Sequence, residues 1–212
     1  MFHTFGDSHC KFGFEKIDNI KIHWLHGKLC YSFGRDKLNL LNIKSSEYNV
    51  NEGDFVLFSF GEIDCRAQIY KYVNDDHPYQ EIIDNLVESY FEAIKENVNM
   101  FTNITTLVYN IIPPTNVLLH VTEEQVIKHI YIKEKDDSIP WKGTNDDRKK
   151  YHLYFNIKLK EKCFENGYIF FDVYDKYCDD NGFLLRNYCD GNIHIDDPIF
   201  LNQFIEKITK AK

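Results

Sequence analysis

The sequence has no uninterrupted apolar stretch of the 18 or more residues that a membrane-spanning helix needs. It also opens without the charged segment and apolar core of a secretory signal peptide. Both absences favour a cytoplasmic protein without a membrane partner. The six cysteines form no C-x-x-C pair and their spacing resembles no zinc site, so we expect reduced thiols and neither metal nor cofactor.

Basic residues are too few to give the positively charged face that most nucleic-acid-binding proteins carry. The 25 Lys and Arg are outnumbered by 33 Asp and Glu, which leaves a formal net charge of −8. The composition is still that of a folded protein, with 43% hydrophobic and 16% aromatic residues. The 212 residues therefore predict one domain over 1–212 that does not bind nucleic acid, and they indicate no oligomeric state.

Strand-like and helix-like segments alternate along the chain. The apolar run 55–60 lies between two glycines, which is typical of a strand buried on both faces, whereas residues 79–98 show helical spacing. This alternation predicts an α/β fold, a three-layer α/β/α sandwich around a flavodoxin-like five-stranded parallel sheet. The predicted strands are 3–5, 19–26, 55–60, 104–112 and 168–173, and the predicted helices lie within 28–43 and over 79–98, 146–166 and 197–210.

Residues 115–146 are less regular than the rest of the chain. They contain a charged run, 133–138, followed by Pro140-Trp141-Lys142-Gly143. Two interpretations fit this composition equally well. The segment is either an insertion that forms a lid beside the strand ends or a solvated surface loop.

The segment Gly6-Asp7-Ser8 directly follows the first predicted strand. A glycine permits a sharp turn, and Asp or Ser at a helix start can accept from the free helix amides. A serine in that position lies near unpaired backbone N–H groups, as a nucleophile beside an oxyanion site requires. An ordinary helix cap has the same residues, so this motif alone does not decide between the two.

Asp190 and His194 follow the last predicted strand. Because the carboxyl ends of parallel strands lie along one edge of a sheet, these side chains can meet Ser8 there. A neutral imidazole can take the serine proton near pH 7, and a carboxylate can hold that imidazole in the required tautomer. The spacing therefore predicts a site of Ser8, His194 and Asp190.

These features resemble the SGNH, or GDSL-like, hydrolase superfamily over nearly the whole chain. The resemblance implies Ser8 as nucleophile, His194 as general base and Asp190 as the carboxylate that orients it. It also implies an oxyanion site formed by the backbone N–H groups of Ser8 and Gly27 and by a side chain of the third block. The family blocks correspond to Gly6-Asp7-Ser8, to Gly27 (or less well Gly34), to Gly61-Glu62-Ile63-Asp64, and to Asp190 with His194.

Two features depart from the family pattern. Ile63 stands where the family has an asparagine that donates to the oxyanion, so this donor is missing or comes from elsewhere, with Arg66 as our candidate. Alternatively, Asp64 pairs with Arg66 and holds its side chain in place. In addition, Asp190 and His194 are four residues apart rather than three.

Three other polar residues have two interpretations each. Glu62 and Arg66 either form a structural ion pair or contact the substrate. Asn110, at the end of the fourth strand, either faces the site or forms the turn. We include Gly61, Glu62, Asp64, Arg66 and Asn110 among the predicted oxyanion and substrate-binding residues.

The resemblance implies a serine esterase that acts on a small-molecule or glycan ester, with a sugar O-acetyl group as an example. An O-acyltransferase on a glycan would use the same acyl-enzyme on Ser8. A non-catalytic binding module that retained the pocket is a further alternative. A nucleotide binder with a similar sheet is disfavoured, because the turn after the first strand has too few glycines for a phosphate-binding loop.

Overall fold

The computed structural model of the chain describes residues 1–116 and 141–210. Its centre is a five-stranded sheet in the order β2-β1-β3-β4-β5, in which every neighbouring pair is parallel. This is the strand order of flavodoxin-like folds, so the predicted sheet and fold class are confirmed. The strands are β1 (Phe2–Gly6), β2 (Ile20–Trp24), β3 (Phe55–Ser59), β4 (Thr105–Tyr109) and β5 (Ile169–Phe171).

The order of the strands reverses at β1, which lies between β2 and β3. The register aligns Gly6 at the end of β1 with Trp24 on one side and Ser59 on the other. All residues of β1 are buried, because the sheet is covered on both faces. In open α/β sheets a ligand binds beyond the carboxyl ends of the strands at such a reversal. The residues after Gly6 occupy that position.

Helices cover both faces of the sheet. The first three pack on one face around a core that includes Phe33, Tyr90 and Phe155. The last packs on the other face, where Leu201 joins a core with Phe171. The helices are α1 (Cys30–Asp36), α2 (Tyr79–Val98), α3 (Asn145–Asn166) and α4 (Ile199–Lys210).

The two long helices have the bounds that local sequence signals predict. Helix α2 begins directly after Pro78, which supplies no N–H and is well tolerated at a helix start. A capping box of Thr144 and Asp147 starts α3, and Gly167 ends it in a left-handed conformation with φ of +68°. These ends are determined by local chemistry, which explains why the prediction succeeds here.

The first third of the chain is less helical than the sequence predicts. Only short 3-10 turns, at Ser8–Cys10 and Phe14–Lys16, connect β1 to β2. Helix α1 ends at Asp36 rather than near residue 43, because Lys37 has φ of +49°. A left-handed residue of this kind breaks a right-handed helix.

The predicted insertion at 115–146 lies mostly outside the described residues, since it contains 117–140. Within 1–116 and 141–210, no helix is long and apolar enough to cross a membrane. All six cysteines are free thiols.

Candidate active site

A sharp turn after β1 carries the predicted nucleophile. Gly6 approaches β3 so closely that a Cβ at this position would lie 1.9 Å from the carbonyl oxygen of Ser59. The N–H of Asp7 donates to that same oxygen at 3.1 Å, and Asp7 Oδ1 accepts from the N–H of His9 at 2.9 Å. The backbone is therefore held on both sides of Ser8, and only glycine fits at position 6.

Three predicted residues from opposite ends of the chain form one hydrogen-bonded series. Ser8 Oγ lies 2.9 Å from His194 Nε2, and His194 Nδ1 lies 2.7 Å from Asp190 Oδ2. An ionised carboxylate only accepts hydrogen bonds, so this contact assigns the ring proton to Nδ1. Nε2 is then free to accept from the Ser8 hydroxyl. The geometry allows the proton of Ser8 to pass to His194.

The four-residue spacing of Asp190 and His194 is accommodated by a tight loop. The N–H of Asp190 donates to the carbonyl of His194 at 3.0 Å, and Asp190 Oδ1 accepts from the N–H of His194 at 3.1 Å. Cys189 and Ile195 pair as an antiparallel bridge at the base of this loop. The extra residue relative to the family pattern is absorbed within the loop, and the carboxylate still reaches the imidazole.

The ionisation of Asp190 suits its position beside an imidazole. Its burial acts to raise the pKa, but hydrogen bonds from the side chain and backbone of His194 outweigh this effect and lower the pKa of Asp190. The carboxylate is therefore ionised at neutral pH. A negative charge beside Nδ1 stabilises the imidazolium that forms when His194 takes a proton.

Two rings from the turn after β1 flank His194. The ring of Phe12 stacks on it with a centroid distance of 4.0 Å and an interplanar angle of 20°. The ring of His9 lies on it at 4.9 Å with an angle of 44°. The sequence predicts for His9 only that it caps or shields the site, and it predicts no role in the site for Phe12. Their position within four residues of Ser8 is the signal that could have found them.

Glu62 and Arg66 form an ion pair behind His9. Arg66 Nε donates to Glu62 Oε1 at 2.7 Å, and both side chains are only 6% exposed. Glu62 Oε2 lies 3.2 Å from His9 Nε2, within ion-pair distance but not aligned as a hydrogen bond. Burial acts to raise the pKa of Glu62, but Arg66 and His9 hold it well below its usual range. The structure therefore shows the ion pair, and contact of either residue with a substrate stays a prediction.

Asp64 does not hold Arg66, contrary to the alternative considered from the sequence. Its carboxylate accepts from the backbone N–H groups of Cys30 at 2.7 Å and Tyr31 at 3.2 Å, which are the first residues of α1. Burial raises the pKa of Asp64 to about 6. The physical reason is orientation: Arg66 turns toward Glu62, while Asp64 turns toward α1. Asp64 thus connects the third block to the helix that follows β2.

The side chain of Asn110 is hydrogen-bonded to the backbone at the ends of two strands. Its Nδ2 donates to the carbonyl of Ile111 at 2.9 Å, and its Oδ1 accepts from the N–H of Val173 at 2.9 Å. The amide joins the ends of β4 and β5, and Asn110 is 2% exposed. The structure thus shows Asn110 joining the strand ends, and its contact with a substrate stays a prediction.

The predicted oxyanion donors are only partly visible in the structure. Within residues 1–116 and 141–210, the backbone N–H of Ser8 donates to no other group. Gly27 lies in an exposed turn after β2 with open space around it. Gly61 has φ of +117° and contacts Ile111 and Phe155, so it shapes the chain after β3. The role of Gly27 remains a prediction.

A cavity of about 620 Å³ lies between α1, α2 and residues 64–72. This volume is in the range that small ligands occupy. Its lining includes the aliphatic side chains Leu29, Ile69, Ile82 and Leu86, and the polar or aromatic side chains Tyr31, Arg35, Asp64, Gln68, Tyr72, Asn85 and Ser89. Asp64, which belongs to the third sequence block, is one of the residues that line this cavity. In the described part of the chain, no three His, Cys, Asp or Glu side chains are grouped so as to hold a metal ion.

No protein-family model matches the sequence, and no curated protein does. Solved structures do match. A GDSL-like lipase from Bacteroides thetaiotaomicron aligns with a TM-score of 0.58 and 12% identity, over 100% of this chain and 88% of that one. The OSK domain of Drosophila Oskar aligns with a TM-score of 0.54 and 13% identity, over 96% and 85%. A gut microbial diltiazem-metabolizing enzyme aligns with a TM-score of 0.50 and 12% identity, over 97% and 46%.

The chain therefore has the fold of the SGNH, or GDSL-like, hydrolase superfamily, as its sequence blocks predict. At these identities the likeness establishes the fold, and one fold can carry several functions. The activity has to be argued from the site itself.

Proposed function

We propose that the protein is a serine esterase in which Ser8 is the nucleophile and His194 is the general base. The observation that carries this proposal is the unbroken series from Ser8 Oγ through His194 to Asp190, with contacts of 2.9 and 2.7 Å. A hydroxyl, an imidazole and a carboxylate in this order activate a serine on several unrelated folds.

The reaction would proceed in two halves. Ser8 Oγ attacks the ester carbonyl while His194 Nε2 takes the hydroxyl proton, and the backbone N–H of Ser8 donates to the developing oxyanion. When the C–O bond to the alcohol breaks, His194 returns the proton to the leaving oxygen. A water molecule then attacks the acyl-enzyme with His194 again as base, which releases the acid and restores Ser8.

For the substrate we propose a small acyl ester of a sugar, such as an O-acetyl group. A sugar would match the lining of the cavity between α1 and α2, which combines Tyr31 and Tyr72 with the amide or hydroxyl groups of Gln68, Asn85 and Ser89, although Ser8 and His194 are not among its lining residues. Such a lining suits a ring that has an apolar face and several hydroxyl groups. An acyltransferase would pass the same acyl group from Ser8 to a second sugar hydroxyl instead of water.

Hydrolysis of p-nitrophenyl acetate tests the activity directly. We expect turnover that is lost in Ser8→Ala and in His194→Ala, together with labelling of Ser8 by a fluorophosphonate. Ser46→Ala and His77→Ala are matched controls, because both residues are exposed. Equal activity in wild type and Ser8→Ala, or no turnover and no labelling, would refute the esterase and favour a binding module. Product analysis with an acetylated sugar and a second sugar in excess separates hydrolysis from transfer.

A further inference from the structure

His9 stands beside the proposed site without a role in the reaction as described above. It directly follows Ser8 and is only 5% exposed. Its backbone N–H is bound to Asp7 Oδ1 at 2.9 Å, so the position of its Cα is set by the same turn that presents Ser8. His3, His152 and His194 are buried as well, so burial alone gives His9 no function, and its contact with the His194 ring is what distinguishes it.

The ring of His9 is the second aromatic ring of this turn that contacts His194. Phe12 stacks on His194 at 4.0 Å, and His9 adds a second ring contact at 4.9 Å. Both residues come from the turn that carries Ser8, whereas His194 comes from a loop 186 residues away. The element that presents the nucleophile therefore also supplies the surfaces against which the base rests.

The ring of His9 packs beside the buried ion pair of Glu62 and Arg66. Glu62 Oε2 lies 3.2 Å from His9 Nε2, and Arg66 Nε fixes the other carboxylate oxygen at 2.7 Å. All three side chains are at most 6% exposed, so they have little room to change rotamer. This gives the third sequence block a use that does not need the missing asparagine at position 63.

We propose that His9, supported by Glu62 and Arg66, is a positioning residue that keeps the His194 ring directed at Ser8. The inference rests on the proposed function. Displacement of a reacting group by about 1 Å can cost on the order of 100-fold in rate. The loss of this ring contact should therefore lower kcat and leave KM almost unchanged, because His9 acts through His194 and not on the bound ester.

His9→Ala and His9→Phe separate the ring surface from the imidazole chemistry. With rates divided by the number of fluorophosphonate-titrated sites, we expect kcat of His9→Ala to fall by about 10- to 100-fold. His9→Phe keeps an aromatic ring beside His194, so its kcat should remain within about threefold of the wild-type value. The reason is that His9 is proposed to place the His194 ring and not to transfer a proton. His3→Ala is the control, because His3 is also a buried histidine but lies near the opposite end of β1.

A second readout does not depend on turnover. The proton that joins His194 Nδ1 to Asp190 over 2.7 Å should give a far-downfield NMR signal, assigned by its absence in Asp190→Ala. We expect this signal in wild type and His9→Phe, and its loss or broadening in His9→Ala. The proposal is overturned if His9→Ala shows a normal signal and an unchanged kcat. It is also overturned if the kcat of His9→Phe is as low as that of His9→Ala. If wild type hydrolyses no ester while the signal still depends on His9, the esterase proposal alone fails.

Discussion

Asp190→Asn is the substitution whose outcome follows most directly from the hydrogen bonds of the site. Asp190 Oδ1 accepts two backbone N–H groups, from Asn192 at 2.9 Å and from His194 at 3.1 Å. In the variant the amide oxygen has to occupy this position, because an NH2 group there would face two donors. The NH2 group then points at His194 Nδ1. This nitrogen can accept a hydrogen bond from the NH2 group only when the nitrogen carries no proton.

The consequence is a change of tautomer. The ring proton moves to Nε2, so Nε2 no longer accepts from the Ser8 hydroxyl and His194 cannot act as base. Loss of tautomer control in a Ser-His-Asp site lowers turnover by about 10⁴-fold. We expect a fall in kcat of about 10³- to 10⁴-fold, equivalent to about 4 to 5.5 kcal/mol, with little change in KM.

Comparison with a second variant distinguishes the tautomer effect from simple loss of charge. Asp190→Ala has no NH2 group, so the ring proton can return to Nδ1, and we expect this variant to retain more activity than Asp190→Asn. Asp196→Asn serves as the control, since Asp196 is exposed and pairs with Lys16. The assay is hydrolysis of p-nitrophenyl acetate at neutral pH. Activity of Asp190→Asn within tenfold of wild type, or above that of Asp190→Ala, would refute the reasoning.

Four further substitutions concern stability, each measured by denaturant unfolding. Gly6→Ala should lower the free energy of unfolding by more than about 3 kcal/mol or prevent folding, because its Cβ would meet a Ser59 carbonyl at 1.9 Å. Gly27→Ala meets no neighbour and should cost only about 1 kcal/mol for its positive φ. The pKa of Asp64 is raised to about 6, so its stabilising contribution is present below about pH 4 and is lost as pH rises through 6. Between pH 4 and pH 7, the difference in the free energy of unfolding between wild type and Asp64→Asn should therefore shift by about 3 kcal/mol in favour of the variant. A difference that does not change with pH would contradict this assignment. Thr144→Ala should lower stability by about 1 kcal/mol, since it removes one half of the α3 capping box.

The parts of the fold that depend on local chemistry were predictable. The buried run 55–60 gave β3 within one residue, and the helical periodicity of 79–98 gave α2 without error. The helix predicted within 28–43 was too long, because nothing in the sequence marks Lys37 as left-handed. In the structure, the side chain of Lys37 pairs with Glu92 and Glu96 of α2, which are more than 50 positions away along the chain.

The site was predictable in outline and not in its supporting contacts. The order of Ser8, Asp190 and His194 along a parallel sheet is enough to expect that they meet at one edge. The partner of Arg66 was not predictable, because Glu62 and Asp64 are both close to it in sequence and only side-chain direction distinguishes them. Asn110 was assigned to the substrate for the same reason, although its amide serves the backbone.

The sequence by itself determined the alternation of strands and helices and the glycine turn that ends in Ser8, because these depend on neighbours along the chain. The tertiary structure alone decided that Phe12 and His9 flank His194, that Glu62 turns to Arg66, and that Asp64 holds the start of α1. The physical reason is that most of these contacts join residues tens to nearly two hundred positions apart. Their distances are set by the packing of the whole sheet.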